Sequence, residues 1–353
     1  MSDDRWDRLA TWLGPRLGAT RGVEVTAVAA PASTGYSAET VMFTAVYDAG
    51  AGRQERRLVL RAETPDPAVY PAQAEGLDVE IEIQRRIMEG VRSVSAVPLA
   101  PILGGERKPT VIGTPFFVME FIAGDVPAVD PPYTVEGFFA AAAPAQRARL
   151  VGDGLRVLAG VHGVDWQAAG LRWLVPPGVA PTMARQLELW EAFAERELGE
   201  RRHPLLEQAF GVLHRHLGPG SAPTLCWGDP RPGNMIWRDF RCVCVTDWEA
   251  AAIAPPEVDL GWWLMFDRTC HEGAGVPRLD GEPTRDEQRD LYASGAGHDV
   301  GDTALVEVFA ATRYAAIVVR VMNRAVARGE LPSDHGVWLD NPATVALGQL
   351  LGG

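Results

Sequence analysis

The sequence lacks a hydrophobic run long enough to cross a membrane. No apolar stretch among its 353 residues reaches the ~18 residues that a spanning helix needs. The opening residues, "MSDDRWDRLATWLG", carry acidic side chains and lack the basic flank and apolar core of a signal peptide. These absences predict a cytoplasmic protein that does not use a membrane as a partner.

Cysteine is scarce, with only Cys226, Cys242, Cys244 and Cys270. Cys242 and Cys244 form a C-x-C pair inside an apolar run, whereas zinc and redox sites typically use C-x-x-C. We therefore predict buried, reduced thiols in strands and no zinc or redox site at this pair.

Positive charge is in deficit, because 33 Lys and Arg face 46 Asp and Glu, for a net charge of −13. This balance argues against nucleic acid as a partner, since phosphate backbones are bound by clustered basic residues. A cationic substrate is compatible with it, and so is ordinary solubility charge. With 47% hydrophobic residues the chain is too apolar for a disordered protein, and its length suits one large or two ordinary domains.

The character of the chain changes near Gly124. Before it, short apolar runs separated by glycine-containing turns predict strands, and the apolar spacing over residues 73–91 predicts one helix, in the order β-β-β-α-β-β. A linker is predicted near Gly124–Asp130, and long helical patterns follow it with one embedded strand pair. We predict an α+β protein with a small β-rich lobe at residues 1–124 and a larger, mostly helical lobe at residues 125–353.

Polar side chains stand at the ends of the strands in "LCWGDPRPGNMIWRDFRCVCVTDWEA", residues 225–250. Asp229 and Asn234 are joined by Pro-Arg-Pro-Gly, which predicts a stiff loop. If the strands around residues 235–246 pair as a hairpin, Asn234 and Asp247 lie at the same edge. Their oxygens are of the kind that Mg²⁺ prefers, with substrate phosphates completing its shell.

The same spacing matches the division of labour in kinases. There, one Asp receives the proton of the substrate hydroxyl, and an Asn and a later Asp bind metal. On this reading Asp229 is the catalytic base, and Asn234 and Asp247 are the metal ligands. Because Asp247 follows an apolar run, burying it without a partner would be costly, which also favours a ligand role.

Three separated motifs resemble the aminoglycoside phosphotransferase, or phosphotransferase-enzyme, family of kinase-like small-molecule kinases. "WGDPRPGNMIW" resembles its catalytic loop, "VTDWEAAAIAPPEVDLGWWL" its metal-binding segment and downstream Asp-Leu-Gly, and "GTPFFVMEFIAG" its last N-lobe strand and hinge. "LAGVHGVDW" resembles a helix end found in a subgroup near the kinase-like domain of some acyl-CoA dehydrogenases. The resemblance implies a bilobal protein-kinase-like fold.

The implied activity is ATP- and Mg²⁺-dependent phosphoryl transfer to a hydroxyl of a small molecule. Family acceptors include aminoglycosides, choline-like alcohols and sugars, and the resemblance does not choose among them or give an oligomeric state. A nucleotide-binding pseudokinase is the alternative, and a metal-dependent hydrolase would leave the N-terminal lobe unexplained.

The resemblance also implies nucleotide contacts in the first lobe. Arg61 stands where the family has a phosphate-contacting Lys, and its expected partner is a carboxylate of the next helix, Glu82 by alignment or Glu80 by helical periodicity. The expected phosphate-covering and adenine-binding residues are Gly35 and Ser37 in "STGYSAET", and Glu120 and Phe121 at the hinge.

Other residues of the second lobe have structural interpretations. In the family that the chain resembles, a His usually packs against the catalytic loop and hydrogen-bonds it. Trp227 replaces this His, and the replacement is expected to affect the geometry of the loop more than its chemistry. Asp259 is expected to anchor backbone, and His162 to be a satisfied core histidine.

Overall fold

The computed structural model describes residues 3–29, 38–50, 52–128 and 130–352. The chain divides into two compact units. Unit 1 comprises Met1–Ala68, Gly76–Gly90 and Leu99–Ala123, and unit 2 comprises Val69–Glu75, Val91–Pro98 and Gly124–Gly353. Two short segments from the N-terminal part of the chain therefore belong to unit 2.

Unit 1 is built on an antiparallel sheet. Its strands are β1 (Glu24–Ala29), β2 (Glu39–Ala49), β3 (Gly52–Ala62), β4 (Ile102–Glu106) and β5 (Phe116–Glu120), in the order β1-β2-β3-β5-β4. Helix α1 (Asp3–Leu17) precedes them, and α2 (Glu80–Val94) follows β3. The predicted order β-β-β-α-β-β is confirmed, and α1 is an addition that was not predicted.

Helix α1 forms because one of its faces is apolar. Leu9, Trp12, Leu13 and Leu17 recur at helical spacing and are buried in the core that covers the sheet. The Trp12 ring packs edge-on against Phe116 at 4.9 Å between centroids. Burying each such side chain stabilises unit 1 by roughly 1.5–3 kcal/mol.

Unit 2 is mostly helical. Its core gathers side chains from helices around a long helix, α8 (Ala304–Ala327), with Phe309, Ala311 and Ala315 fully buried. None of the helices within the described ranges has the length and apolar character needed to cross a membrane. The elements are α3 (Pro144–His162), α4 (Met183–Leu198), α5 (Pro204–His216), β6 (Thr224–Cys226), β7 (Met235–Arg238), β8 (Arg241–Val245), β9 (Ala252–Ala254), α6 (Glu257–Arg268), α7 (Arg285–Ala296), α8 (Ala304–Ala327) and α9 (Pro342–Gly352).

Two short ribbons interrupt these helices. β7 and β8 form the predicted hairpin, in which Met235 pairs with Val245 and Arg238 pairs with Arg241. β6 pairs instead with β9, a strand that was not predicted. Cys226 in β6 and Cys242 and Cys244 in β8 are buried thiols, as expected of structural cysteines. The ribbons place Asp229 after β6, Asn234 before β7 and Asp247 after β8.

Candidate active site

The loop between β6 and β7 requires glycine before Asp229. Gly228 has φ +95°, and a Cβ atom there would lie 2.1 Å from the carbonyl oxygen of Ala250. Any other residue would combine a rarely tolerated backbone conformation with a steric clash. The loop therefore passes close under the segment that follows Asp247 and turns Asp229 into the interior.

A buried carboxylate anchors the backbone of this loop. Asp259, at the start of α6, accepts hydrogen bonds from the backbone amides of Trp227 at 2.6 Å and Gly228 at 2.9 Å. His162 contacts the same carboxylate at 3.1 Å through Nε2 and the Tyr292 hydroxyl at 2.6 Å through Nδ1. Asp259 as a backbone anchor and His162 as a satisfied core histidine are thus confirmed.

The Asp229 carboxylate is 5% exposed and is surrounded by donors. Its Oδ1 accepts from the Trp262 indole at 2.6 Å and from Arg231 Nε at 3.1 Å. Its Oδ2 accepts from Asn234 Nδ2 at 2.7 Å and from the Tyr70 hydroxyl at 3.3 Å. A side chain held from several directions in this way is fixed in orientation before any substrate arrives.

Asn234 and the residues before Asp247 are joined across the hairpin. Asn234 Nδ2 also donates to the Asp229 carbonyl at 3.1 Å, which leaves Oδ1 as the amide atom suited to a cation. The Asn234 carbonyl accepts from the backbone amide of Thr246 at 3.0 Å and from its hydroxyl at 2.8 Å. The structure therefore brings the strand ends that carry Asn234 and Asp247 together at one edge.

Asp247 adopts a left-handed backbone conformation with φ +61°. Aspartate enters this region more readily than most residues, at a cost of about 1–3 kcal/mol, and such residues cluster at functional sites. The strained backbone of Asp247 therefore marks it as a candidate functional residue.

Trp227 joins the loop of Asp229 to the loop of Asp247. Its side chain is fully buried, and its indole N–H donates to the carbonyl oxygens of Thr246 at 2.8 Å and Asp247 at 3.2 Å. The loop of Asp229 and the loop of Asp247 are thereby tied by one donor, and this contact comes from the residue that departs from the family pattern.

Removing this donor is expected to loosen both loops. We expect Trp227→Phe to lower the free energy of unfolding by about 1–3 kcal/mol, because the carbonyl groups of Thr246 and Asp247 lose their shared donor. Trp227→His, which keeps an N–H group, should lose less of this stability than Trp227→Phe. Urea unfolding followed by circular dichroism checks the stability, with the partly exposed Trp166→Phe as the matched control.

The residues that sequence reasoning missed all touch this loop. Arg231 contacts Asp229 through Nε, and within the described residues its two terminal nitrogens have no hydrogen-bond partner. Arg313 of α8, 2% exposed, donates to the carbonyl oxygens of Gly228 at 2.9 Å and Val258 at 3.2 Å. The D-x-R spacing could have signalled Arg231, whereas Arg313 lies too far along the chain for any local pattern.

The predicted phosphate-contacting residue, Arg61, lies on β3 of unit 1. Its guanidinium donates to the Thr40 hydroxyl at 2.7 Å and to the Gln84 amide oxygen at 3.4 Å. The guanidinium of Arg61 is therefore held between β2 and α2. Gly35 and Ser37 lie outside the described residues.

The prediction that Glu82 faces Arg61 is wrong in this structure. Both Glu82 oxygens accept from Arg85, at 3.0 Å and 2.9 Å, since residues three apart on a helix are neighbours. The face of α2 toward Arg61 carries Gln84, and Glu80, one turn earlier, is 7% exposed.

The predicted hinge residues stand at the end of β5 in unit 1, where Glu120 is the last residue of the strand and Phe121 follows it. The backbone amides of Glu120 and Phe121 donate to the carbonyl oxygens of Pro101 at 2.9 Å and Arg57 at 3.1 Å. The Glu120 carboxylate pairs with Arg56, and the Arg57 guanidinium lies 3.7 Å from the centre of the Phe121 ring. These amides already have partners inside unit 1.

Comparison with known proteins decides the family. The phosphotransferase enzyme family matches this chain over residues 29–296. The chain belongs to this family. Its fold is the predicted one, an α+β kinase-like fold with a β-rich N-terminal part and a helical C-terminal part.

Relatives of known name support the family and the predicted subgroup. The mouse (Mus musculus) acyl-CoA dehydrogenase family member 10 is 28% identical over 283 residues, which is 77% of this chain and 25% of that protein. The chain thus spans about a quarter of this curated relative.

Solved structures share the fold at lower identity. A Ralstonia eutropha protein described as an aminoglycoside phosphotransferase has a TM-score of 0.70 at 23% identity, covering 98% of this chain and 95% of its own. Macrolide 2'-phosphotransferase MphH from Brachybacterium faecium has a TM-score of 0.57 at 19% identity, covering 97% and 98%.

Proposed function

We propose that this protein is an ATP- and Mg²⁺-dependent O-phosphotransferase that acts on a hydroxyl of a small molecule. The observation that carries the proposal is the fixed Asp229 carboxylate, with Asn234 hydrogen-bonded to it and the strand end of Asp247 tied to Asn234. The family membership supports the reaction class. The acceptor is a small alcohol, and the net charge of −13 is compatible with a cationic one.

Asp229 is the proposed catalytic base. An acceptor hydroxyl that donates to its Oδ2 would be aligned for attack on the terminal phosphoryl group of ATP. The carboxylate would take the hydroxyl proton as the new P–O bond to the acceptor forms and the P–O bond to ADP breaks, so that ADP leaves. Because phosphoryl transfer needs little covalent help from the protein, holding this geometry is the main contribution of the loop.

Asn234 and Asp247 are the proposed ligands of Mg²⁺. Asn234 Oδ1 and the Asp247 carboxylate are hard oxygen donors at one hairpin edge, a donor set that suits this ion. When bound, Mg²⁺ neutralises phosphate charge that develops during transfer. The bond from Trp227 to the Asp247 carbonyl holds the second ligand's backbone in its left-handed conformation.

Arg231 is proposed to contact the transferred phosphoryl group. Burial alone would lower the pKa of its guanidinium, but Asp229, Tyr70 and Asp247 raise it, so the charge is permanent. With Nε on Asp229, the terminal nitrogens form a fork of the kind that binds phosphate oxygens.

Arg61, Gly35 and Ser37 are proposed to contact the nucleotide phosphates, and Glu120 and Phe121 to meet adenine. Since the amides of Glu120 and Phe121 are taken within unit 1, any adenine contact at these two residues would use their carbonyl oxygens. Gln84 replaces Glu82 as the proposed side chain that steadies Arg61.

A pseudokinase remains the alternative, favoured by one observation. The Asp229 oxygens already accept from Tyr70, Arg231, Asn234 and Trp262, so an acceptor would have to displace a donor. Such a protein would bind nucleotide without transferring phosphate. Turnover, not binding, separates the two functions.

A two-step experiment tests the proposal. Mg-ATP should raise the melting temperature, by a free energy of about 2.7 kcal/mol at 100 times its dissociation constant. Aminoglycosides, macrolides, choline-like alcohols and sugars are then incubated with Mg-ATP, and mass spectrometry should show one acceptor heavier by a phosphoryl group. ATP binding without transfer to any hydroxyl compound would favour the pseudokinase.

A further inference from the structure

A short segment between β3 and α2 belongs to unit 2 and is fixed on both sides of Tyr70. Val69 is 4% exposed and lies in the helical core of unit 2. Gln73 accepts a hydrogen bond from Gln186 of α4 at 2.8 Å. We call residues 69–75 the strap.

The strap brings the hydroxyl group of Tyr70 to the carboxylate of Asp229, the proposed base. The Tyr70 hydroxyl donates to Asp229 Oδ2 at 3.3 Å, and it is the one O–H donor among the described groups on this carboxylate, since Arg231, Asn234 and Trp262 donate from nitrogen. An O–H group bound to Asp229 is what an acceptor must also present. The phenol therefore imitates an acceptor hydroxyl in its contact with the base.

The electrostatic surroundings keep this phenol a donor. Burial raises the pKa of Tyr70 well above its ordinary value, and Asp229, Glu249 and Asp247 raise it further. Below that pKa the hydroxyl carries its proton. At 3.3 Å the Tyr70 contact is the longest on Oδ2, compared with 2.7 Å from Asn234 Nδ2 and 3.2 Å from Arg231 Nε. The other two donors each hold a second oxygen of Asp229, so the Tyr70 bond is the one that a better-placed hydroxyl can replace.

We propose that Tyr70 holds the acceptor's position on Asp229, excludes water from it, and yields it to the acceptor hydroxyl. Water is small, abundant and able to donate to the same oxygen, so an open position would let ATP be hydrolysed without an acceptor. The phenol blocks this route because its ring is anchored by the strap. Tyr70 is thus a specificity-determining residue, and the inference rests on the proposed function.

Replacing only the hydroxyl tests this role without a known acceptor. Tyr70→Phe keeps the ring and opens a space of one hydroxyl group beside Oδ2. Acceptor-independent hydrolysis of Mg-ATP is expected to rise about tenfold, since a hydrogen bond to a charged group is worth roughly one factor of ten. A merely structural role would lower hydrolysis. The measurement is phosphate release, with Mg-ATP binding followed by thermal shift.

Tyr47→Phe is the matched control, because Tyr47 is a buried tyrosine on β2 of unit 1 and should leave hydrolysis unchanged. If the wild-type protein turns over ATP but Tyr70→Phe shows unchanged or reduced hydrolysis, the inference about Tyr70 is refuted and the proposed function is not. Absence of ATP turnover in all variants, with any acceptor, overturns the proposed function and the inference with it. Phosphate found on Tyr70 by mass spectrometry also overturns the exclusion role, because the phenol is then itself an acceptor.

Discussion

Asp229→Asn should reduce phosphoryl transfer by about 10²–10⁴-fold, the usual contribution of a general base. The asparagine fills the same volume and keeps an oxygen for the surrounding donors, but it cannot take the proton of an acceptor hydroxyl. Mg-ATP binding should persist, because the proposed metal ligands are Asn234 and Asp247. Transfer is measured by ADP release with an acceptor, and binding by thermal shift.

The surroundings of Asp229 decide which substitution is informative. Asp229→Ala would leave Trp262, Asn234 and the Arg231 guanidinium without their acceptor, so lost stability would confuse the result. Folding of Asp229→Asn is therefore compared with wild type by urea unfolding. Full transfer by a folded Asp229→Asn protein would refute the role of base.

Asp247→Asn should weaken Mg²⁺-dependent ATP binding by at least about 10–100-fold. Asparagine tolerates the left-handed backbone at φ +61°, so the substitution removes charge without adding backbone strain. Titration of Mg²⁺ at fixed ATP, followed by thermal shift or calorimetry, measures the change. Transfer should fall in parallel and recover in part at high Mg²⁺.

Asp239→Asn is a matched control for Asp247→Asn. Asp239 is an exposed aspartate in the turn of the same hairpin, and it too has a left-handed backbone, with φ 51°. It should bind Mg-ATP like the wild type. Equal Mg²⁺ requirements in Asp247→Asn and Asp239→Asn would contradict a metal-ligand role for Asp247.

The central geometry was predictable because it is local. The hairpin of β7 and β8 is closed by a short turn, so its register follows from the strands themselves and brings Asn234 to the residues before Asp247. The same holds for Asp229, which a rigid Pro-containing loop separates from Asn234. The fold could be predicted from motif order and from strand and helix periodicity, except for α1, which was not predicted although its apolar residues recur at helical spacing.

Contacts across long sequence separations were not predictable in this way. The Tyr70 hydroxyl reaches Asp229 from a residue 159 positions earlier, and Arg313 reaches Gly228 from 85 positions later. No local pattern specifies such a contact, because it depends on how elements pack. The error at Glu82 has another cause: α2 carries acidic residues on more than one face, and only its packing shows which face meets Arg61.

The anchor at Asp259 separates two requirements, a fixed position for the loop of Asp229 and freedom to change the acceptor, which one loop could not meet alone. With the amides of Trp227 and Gly228 fastened to a carboxylate of α6, the proposed reacting geometry would not depend on which acceptor is bound. Variation that alters acceptor choice could then accumulate in segments outside this anchored loop, such as the strap, while the loop itself stays unchanged. A phosphotransferase of the proposed kind could thus change its alcohol over evolutionary time and keep its reaction.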